Sequence, residues 1–128
     1  MSAATTSTAR RTARPPAAVL SEATVRAARL LGVSQAALAD VLGVSAATMS
    51  RIANGQKVLD QGSKPWQLAA LFVRLFRALD AIVGSDDAAR AWLRAPNLAL
   101  GGIPLDLIRD PAGLSRVVDY LDASRARI

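Results

Sequence analysis

Hydrophobic residues recur at intervals of three and four along most of this chain, and no segment alternates with a sustained period of two. This spacing is typical of helices that bury one face, whereas half-buried strands alternate. The pattern therefore predicts an all-α protein with essentially no sheet. Helices are expected over residues 21–31, 34–42, 45–54, 65–83 and 85–95, in a short segment from residue 104, and from residue 110 towards residue 124.

Residues suited to helix ends support these boundaries. A side-chain oxygen at the N-cap accepts a hydrogen bond from a backbone N–H that has no partner within the helix. The predicted N-caps are Ser21, Ser34, Ser45, Ser85 and Asp110. Prolines suited to the first helical turn stand at residues 65, 104 and 111, and glycines suited to ending a helix stand at residues 32, 55 and 84.

Residues 1–18 lack hydrophobic periodicity and carry Arg10, Arg11 and Arg14 without an acidic residue. This composition predicts a disordered basic tail. The tail either contacts phosphates or has no role in binding.

The segment SQAALADVLGVSAATMSRIANG, residues 34–55, has the pattern of two short crossed helices. Gly43 permits the positive φ of a tight turn between them, and Val44, Met49 and Ile52 fall on one buried face. These features predict a helix-turn-helix. The alternative is a helical hairpin whose serines only cap helices and whose Arg51 is solvated.

A helix-turn-helix places its second helix in the major groove, where the N-terminal residues of that helix reach base edges. Alanines offer only apolar contact to a thymine methyl, so modest specificity is expected, with affinity coming mainly from phosphate contacts and dimerisation. The predicted phosphate contacts are Gln35, Ser45, Arg51 and Lys57, and the predicted base readers are Ala46, Ala47, Thr48 and Ser50.

The central helix over residues 66–83 is apolar around most of its circumference, with Gln67, Arg74 and Arg77 forming a narrow polar stripe. A helix of this kind is buried on most sides. It therefore either packs between two modules of one chain or forms the interface of a homodimer. The dimer is favoured, because it would supply the second half-site reader that a helix-turn-helix generally needs.

Composition narrows the possible functions. Residues 1–59 hold seven basic and two acidic side chains, a net +5, whereas residues 60–128 hold nine and eight, a net +1, and a basic half is expected of a nucleic-acid binder. The chain has no histidine, no cysteine and a single glutamate, Glu22, which argues against an enzyme, a metal site or a cofactor. No signal-peptide pattern or apolar run of membrane-spanning length is present, so a cytoplasmic location is expected.

The stretch WLRAPNLALGGIPLDLI, residues 92–108, combines two prolines, two adjacent glycines and an amide between helical segments. It follows Ala89 and precedes Gly113, Val117 and Leu121. This arrangement resembles the toxin-binding domain of Xre-type antitoxins from RES–Xre systems, including ParS-like and MbcA-like antitoxins. With the upstream helix-turn-helix, the resemblance covers about residues 20–124.

The resemblance implies an antitoxin that covers the active site of a cognate NAD-consuming RES-domain toxin and, with it, represses its own operon at an operator DNA. The residues implied in toxin binding are Asn97, Leu100, Gly101, Gly102, Pro104, Arg125, Arg127 and Ile128. Many relatives end the last helix with an aromatic–Gly pair, whereas this chain ends SRARI. Trp92 is expected to pack in the core rather than to contact the toxin directly.

The predicted organisation is therefore a tail over residues 1–18, a helix-turn-helix domain over 19–59, a linker and dimerisation helix over 60–83 and a toxin-binding domain over 84–128. Two other functions stay open on the sequence. One is a stand-alone transcriptional regulator whose C-terminal half only dimerises. The other is an adaptor whose helix-turn-helix no longer binds DNA.

Overall fold

Seven helices make up most of residues 14–126, which are the residues that the computed structural model describes. Within this range the only β feature is an isolated bridge between Asn97 and Gly102, so the all-α prediction is confirmed. The helices are α1 (Pro16–Leu30), α2 (Gln35–Leu42), α3 (Ala46–Ala53), α4 (Lys64–Val83), α5 (Asp86–Arg94), α6 (Pro104–Leu107) and α7 (Pro111–Ala126).

Side-chain caps fix the starts of most of these helices. Ser34, Ser45 and Ser85 each accept a hydrogen bond from the backbone N–H three residues further on, at 3.1 Å. Asp110 Oδ2 accepts in the same way from Gly113 N at 3.1 Å. These four predicted caps are confirmed. Ser63 caps α4 at 3.2 Å, so this helix begins at Lys64, one residue before the predicted start at residue 65.

The start of α1 corrects the sequence prediction. This helix begins at Pro16, because the Pro15–Pro16 pair supplies the fixed φ that suits the first turn, so residues 16–18 are helical rather than part of a tail. Ser21 lies inside α1 and is buried; its Oγ donates to Ala17 O at 2.7 Å and accepts from Leu59 N at 2.9 Å. Arg14 pairs with Glu22, whereas Arg10 and Arg11 lie outside the described residues.

Helix α4 is the centre of the core. It packs against α1 and α2 on the N-terminal side and against α5 and α7 on the C-terminal side. Phe72, Leu75 and Leu79 are fully buried on it. This packing between both modules explains the apolar circumference of α4. The residues of α4 left exposed are mostly polar or small: Lys64, Gln67, Ala70, Arg74, Arg77, Asp80 and Ala81.

Two arginines of α5 tie the C-terminal module to the end of α1. Arg90 Nε donates to Leu30 O at 2.8 Å, and Arg94 donates to Leu31 O at 3.2 Å and to Gly32 O at 2.7 Å. The last carbonyls of a helix lack partners within it, and their partial negative charge favours a cation. The guanidinium groups therefore complete the C-terminal end of α1 from 60 or more residues away in sequence.

Candidate DNA-binding and toxin-binding surfaces

The geometry of α2 and α3 is that of a helix-turn-helix. The chain bends by 111° between the two helices, across a turn of three residues, Gly43 to Ser45. Gly43 has φ +70°, a conformation that side chains with a Cβ seldom adopt. Helix-turn-helix motifs join their helices at about 90–120° through a short turn that often contains glycine. The predicted turn is therefore confirmed.

The two faces of α3 separate as the sequence predicted. Met49 and Ile52 are buried against the core, and Val44 in the turn is half-buried. The opposite face is accessible: Ala46, Ala47, Arg51 and Asn54 are exposed, and Thr48 and Ser50 are half-buried. Gln35, at the start of α2, is also exposed. The structure thus leaves the predicted base readers open to a duplex.

Local bonds already occupy two of the hydroxyl groups on this face. Ser45 Oγ accepts from Thr48 N and donates to Thr48 Oγ1 at 3.0 Å, so both side chains are held in place by the cap. Lys57 is half-buried and lines a small recess with Val44, Thr48 and Ile52. The exposed positive charge on this face of α3 therefore comes from Arg51.

Sequence reasoning missed two further cations near α3. Arg26 and Arg29 are exposed on α1 and line a groove of about 450 Å³ that also reaches Ala53 and Gly55 at the end of α3. Neither forms an ion pair with any residue in the range 14–126. Their spacing of three along a helix was visible in the sequence, but the placement of α1 beside α3 was not.

A loop over residues 95–103, which joins α5 to α6, is held by several hydrogen bonds. Asn97 N donates to Gly102 O at 2.9 Å, and Asn97 O accepts from Gly101 N at 2.9 Å and from Gly102 N at 3.2 Å. The Asn97 side-chain Oδ1 accepts from Leu100 N at 3.0 Å, and Arg116 Nη2 donates to Leu100 O at 2.9 Å. These five bonds hold the loop to itself and to α7.

The side chains of this loop are not all where the sequence placed them. Leu100 is only 4% exposed and Pro104 is buried, so both support the loop from within the core and offer no side chain to a partner. That corrects the predicted contact set. Asn97 and Gly102 are half-buried and Gly101 is exposed. Leu98, which was not predicted, stands at the tip of the loop and is 100% exposed.

The residues behind the loop form its support. Ala89 and Leu93 of α5 and Leu114 and Val117 of α7 are fully buried. Trp92 is half-buried and stacks on Tyr120, with ring centroids 6.4 Å apart and planes inclined by 23°. Packing inside the chain is thus one role of Trp92, as expected.

The predicted tail contacts fall partly outside the described residues. Arg125 lies exposed in the last turn of α7, whereas Arg127 and Ile128 are outside the range 14–126. Arg125 faces Arg74 and Arg77 of α4 across a surface groove.

Two family models match the chain, one over each of its two modules. Residues 6–74 match the antitoxin Xre-like helix-turn-helix domain, and residues 78–127 match the antitoxin Xre/MbcA/ParS C-terminal toxin-binding domain. The first match alone covers more than half of the chain. The chain belongs to the Xre-type antitoxins. No curated protein was found to match it significantly.

Membership of this family fixes the broad function. An Xre-type antitoxin binds a toxin through its C-terminal domain and binds DNA through its helix-turn-helix, which supports repression. Neither family is a family of enzymes.

Among residues 14–126, no group of three or more acidic side chains is arranged to hold a metal ion. No single helix in that range is long and apolar enough to cross a membrane; the bent pair α2–α3 passes that test only when its two helices are combined.

Proposed function

We propose that this antitoxin neutralises a RES-domain toxin that consumes NAD⁺, by covering the toxin's active site with the loop over residues 95–103 and the C-terminal end of α7. The observation that carries the proposal is Leu98. This leucine is fully exposed, it stands on a loop held by five hydrogen bonds, and it lies within the toxin-binding domain.

The rigidity of the loop adds to the affinity that Leu98 can provide. Burying an exposed leucine contributes roughly 1.5–3 kcal/mol, and ordering a flexible loop would offset part of that gain. Because Asn97 and Arg116 already fix the loop backbone, little entropy remains to be lost on binding. Leu98 is therefore proposed as an anchor residue of the toxin interface.

Exposed Gly101 and half-buried Asn97 and Gly102 complete the proposed contact around Leu98. Asn97, Gly101 and Gly102 bring backbone and amide groups to the same surface. At the other end of α7, Arg125 and Arg127 would pair with toxin carboxylates or occupy the space of the dinucleotide phosphates, and Ile128 belongs to the same predicted contact set. Removing residues 125–128 is expected to weaken neutralisation; unchanged inhibition would refute this role of the tail.

The antitoxin and its toxin together would repress their own operon. Arg51 and Gln35 are proposed to contact phosphates, and Ala46, Ala47 and Ser50 are proposed to face the bases of the operator. The homodimer stays a prediction, because helix-turn-helix repressors generally bind two half-sites of an operator as dimers. Most apolar residues of α4 are covered within the chain, so the apolar circumference of this helix is explained without a dimer.

The proposal is tested in two steps. The antitoxin is used as bait in its native host, and the co-purifying protein is assayed for NAD⁺ consumption before and after adding back equimolar antitoxin. Consumption that stops on addition supports the proposal, whereas a partner without NAD⁺ consumption would refute the RES assignment. Recovery of promoter DNA alone would favour a stand-alone regulator.

The second step tests Leu98 itself. Leu98→Ala is expected to raise the Kd for the toxin roughly tenfold or more, as follows from the reduced apolar burial. Val58→Ala is the matched control, because Val58 is also exposed, at 44%, but lies between α3 and α4, outside the toxin-binding domain. An equal effect of the two substitutions would show that Leu98 is not an anchor.

A further inference from the structure

A second apolar surface lies away from the Leu98 loop, between the N-terminal half of α1, one face of α4 and the end of α7. It is a groove of about 640 Å³ whose walls are formed by Val19 and Leu20 of α1 and by Trp66 and Val73 of α4. Val19 is 49% exposed, and it is one of only three large hydrophobic residues so exposed among residues 14–126. The groove therefore leaves apolar surface uncovered that the fold itself does not use.

The dimensions of the groove suit a short helix. Trp66 to Arg77 spans about 17 Å of α4 at roughly 1.5 Å per residue, or about three helical turns. Small side chains, Ala23 of α1 and Ala70 of α4, lie between the larger ones and leave room for inserted side chains. A partner helix with apolar residues at positions i, i+4 and i+7 fits a channel of this length.

The charges on the groove are all of one sign. Three arginines line it, Arg74, Arg77 and Arg125, and no acidic side chain from the range 14–126 does. Arg74 is paired with Asp122 behind it, whereas Arg77 and Arg125 form no ion pair with any other residue in the range 14–126. Cations beside an apolar channel favour a partner whose apolar residues are flanked by carboxylates.

Charge also argues against two other occupants. In a two-fold dimer of this chain the same arginines would approach each other, which is unfavourable. Residues 1–13 of the chain carry Arg10 and Arg11 and no acidic side chain, so they do not complement the groove either.

We propose that this groove is a second docking site for the toxin and that it receives an amphipathic toxin helix with acidic residues flanking its apolar face. This inference rests on the proposed function. Arg125 belongs both to the groove and to the matched toxin-binding domain, so the groove continues the toxin-binding module onto α1 and α4. One toxin would then contact both family domains of the antitoxin.

The test uses the full-length antitoxin and the NAD⁺-consuming protein that co-purifies with it. Val19→Glu and Arg77→Glu are each expected to raise the Kd for the toxin at least tenfold, whereas Arg77→Lys keeps the charge and stays within about threefold of wild type. The matched control is Val58→Glu, which introduces the same carboxylate at an exposed valine outside the groove and is expected to change the Kd less than threefold. Thermal unfolding of each variant verifies that it is folded.

A spectroscopic measurement reports on the groove directly. With 5-fluorotryptophan incorporated in the antitoxin only, Trp66 and Trp92 give two ¹⁹F signals, which Trp92→Phe assigns. The Trp66 signal is expected to shift on addition of toxin.

The possible results separate the two proposals. If Leu98→Ala weakens binding while the groove variants bind toxin as tightly as wild type and toxin leaves the Trp66 signal unshifted, the groove is not a docking site and the proposed function stands. If no NAD⁺-consuming partner binds at all, the proposed function fails and the groove inference fails with it. If removing residues 1–13 shifts the Trp66 signal and toxin then shifts it no further, the chain's own N-terminal segment is the occupant, which also overturns the inference.

Discussion

The packing of α6 against α7 allows no side chain at residue 113. A Cβ built on Gly113 would lie 2.0 Å from Leu107 O and 2.9 Å from Leu107 C, distances that real Cβ atoms essentially never show. Because both are backbone atoms, the clash cannot be relieved by turning a side chain. Gly113→Ala therefore requires α6 and α7 to separate by about 1 Å.

The size of the effect follows from two opposing terms. Replacing glycine by alanine within a helix ordinarily stabilises by about 1 kcal/mol. Overpacking of a well-packed interface costs about 1–3 kcal/mol and occasionally more, and here it would displace Ile108 and Leu114, both fully buried. Because the clash is with backbone atoms, the overpacking cost is placed at the upper end of that range, about 3 kcal/mol, so Gly113→Ala is expected to lower the free energy of unfolding by about 2 kcal/mol and the Tm by roughly 5–10 °C.

The measurement is thermal and urea unfolding followed by circular dichroism. Ser115→Ala is the matched control, since it lies two residues further along α7, is half-buried, and gains helix propensity without a backbone clash. Its Tm is expected to equal or slightly exceed that of wild type. A Gly113→Ala variant as stable as wild type would refute the argument, because it would show that α6 moves away at no cost.

Three further substitutions test other parts of the structure. Arg94→Ala removes the hydrogen bonds to Leu31 O and Gly32 O. Because the guanidinium is largely exposed, the free energy of unfolding is expected to fall by only about 1 kcal/mol. Urea unfolding measures this change, and an unchanged midpoint would contradict the prediction. Ser45→Ala removes the cap of α3 and is expected to destabilise by about 1 kcal/mol in the same assay, with an effect below about 0.3 kcal/mol counting against the cap. Arg51→Gln is expected to weaken binding to the antitoxin's own promoter and to DNA of other sequences by the same factor. It is also expected to reduce the slope of log K against log [salt] by about 0.9 for each phosphate that Arg51 neutralises. An unchanged slope would exclude such a phosphate contact.

Local signals in the sequence predicted the helix boundaries well, with one informative failure. A cap requires only a serine and the N–H three residues away, so Ser34, Ser45 and Ser85 could be identified without tertiary information. Ser21 carries the same local signal, yet its hydroxyl bonds to the backbone of Leu59, 38 residues later. Nothing within a window of one helical turn distinguishes these two uses of a serine.

The candidate site was less predictable because loops follow no period. Helical spacing placed Met49 and Ile52 on the buried face of α3 correctly. No comparable rule states which leucine of a loop turns inward. Between Leu98 and Leu100, the choice is made by the hydrogen bonds of Asn97, and those depend on the full path of the chain between α5 and α6.

The central position of α4 has a consequence for how this protein can acquire new specificities. Since α4 is covered from both sides by helices of the two family domains, cutting the chain between the domains would uncover its apolar surface in either half. New combinations of operator and toxin made by exchanging a whole domain therefore require the incoming domain to rebuild the packing on α4. Under the proposed function, such combinations also arise at two places outside the shared core, the outer face of α3 and the tip of the loop around Leu98. Substitutions there can diverge independently while the rest of the molecule stays unchanged.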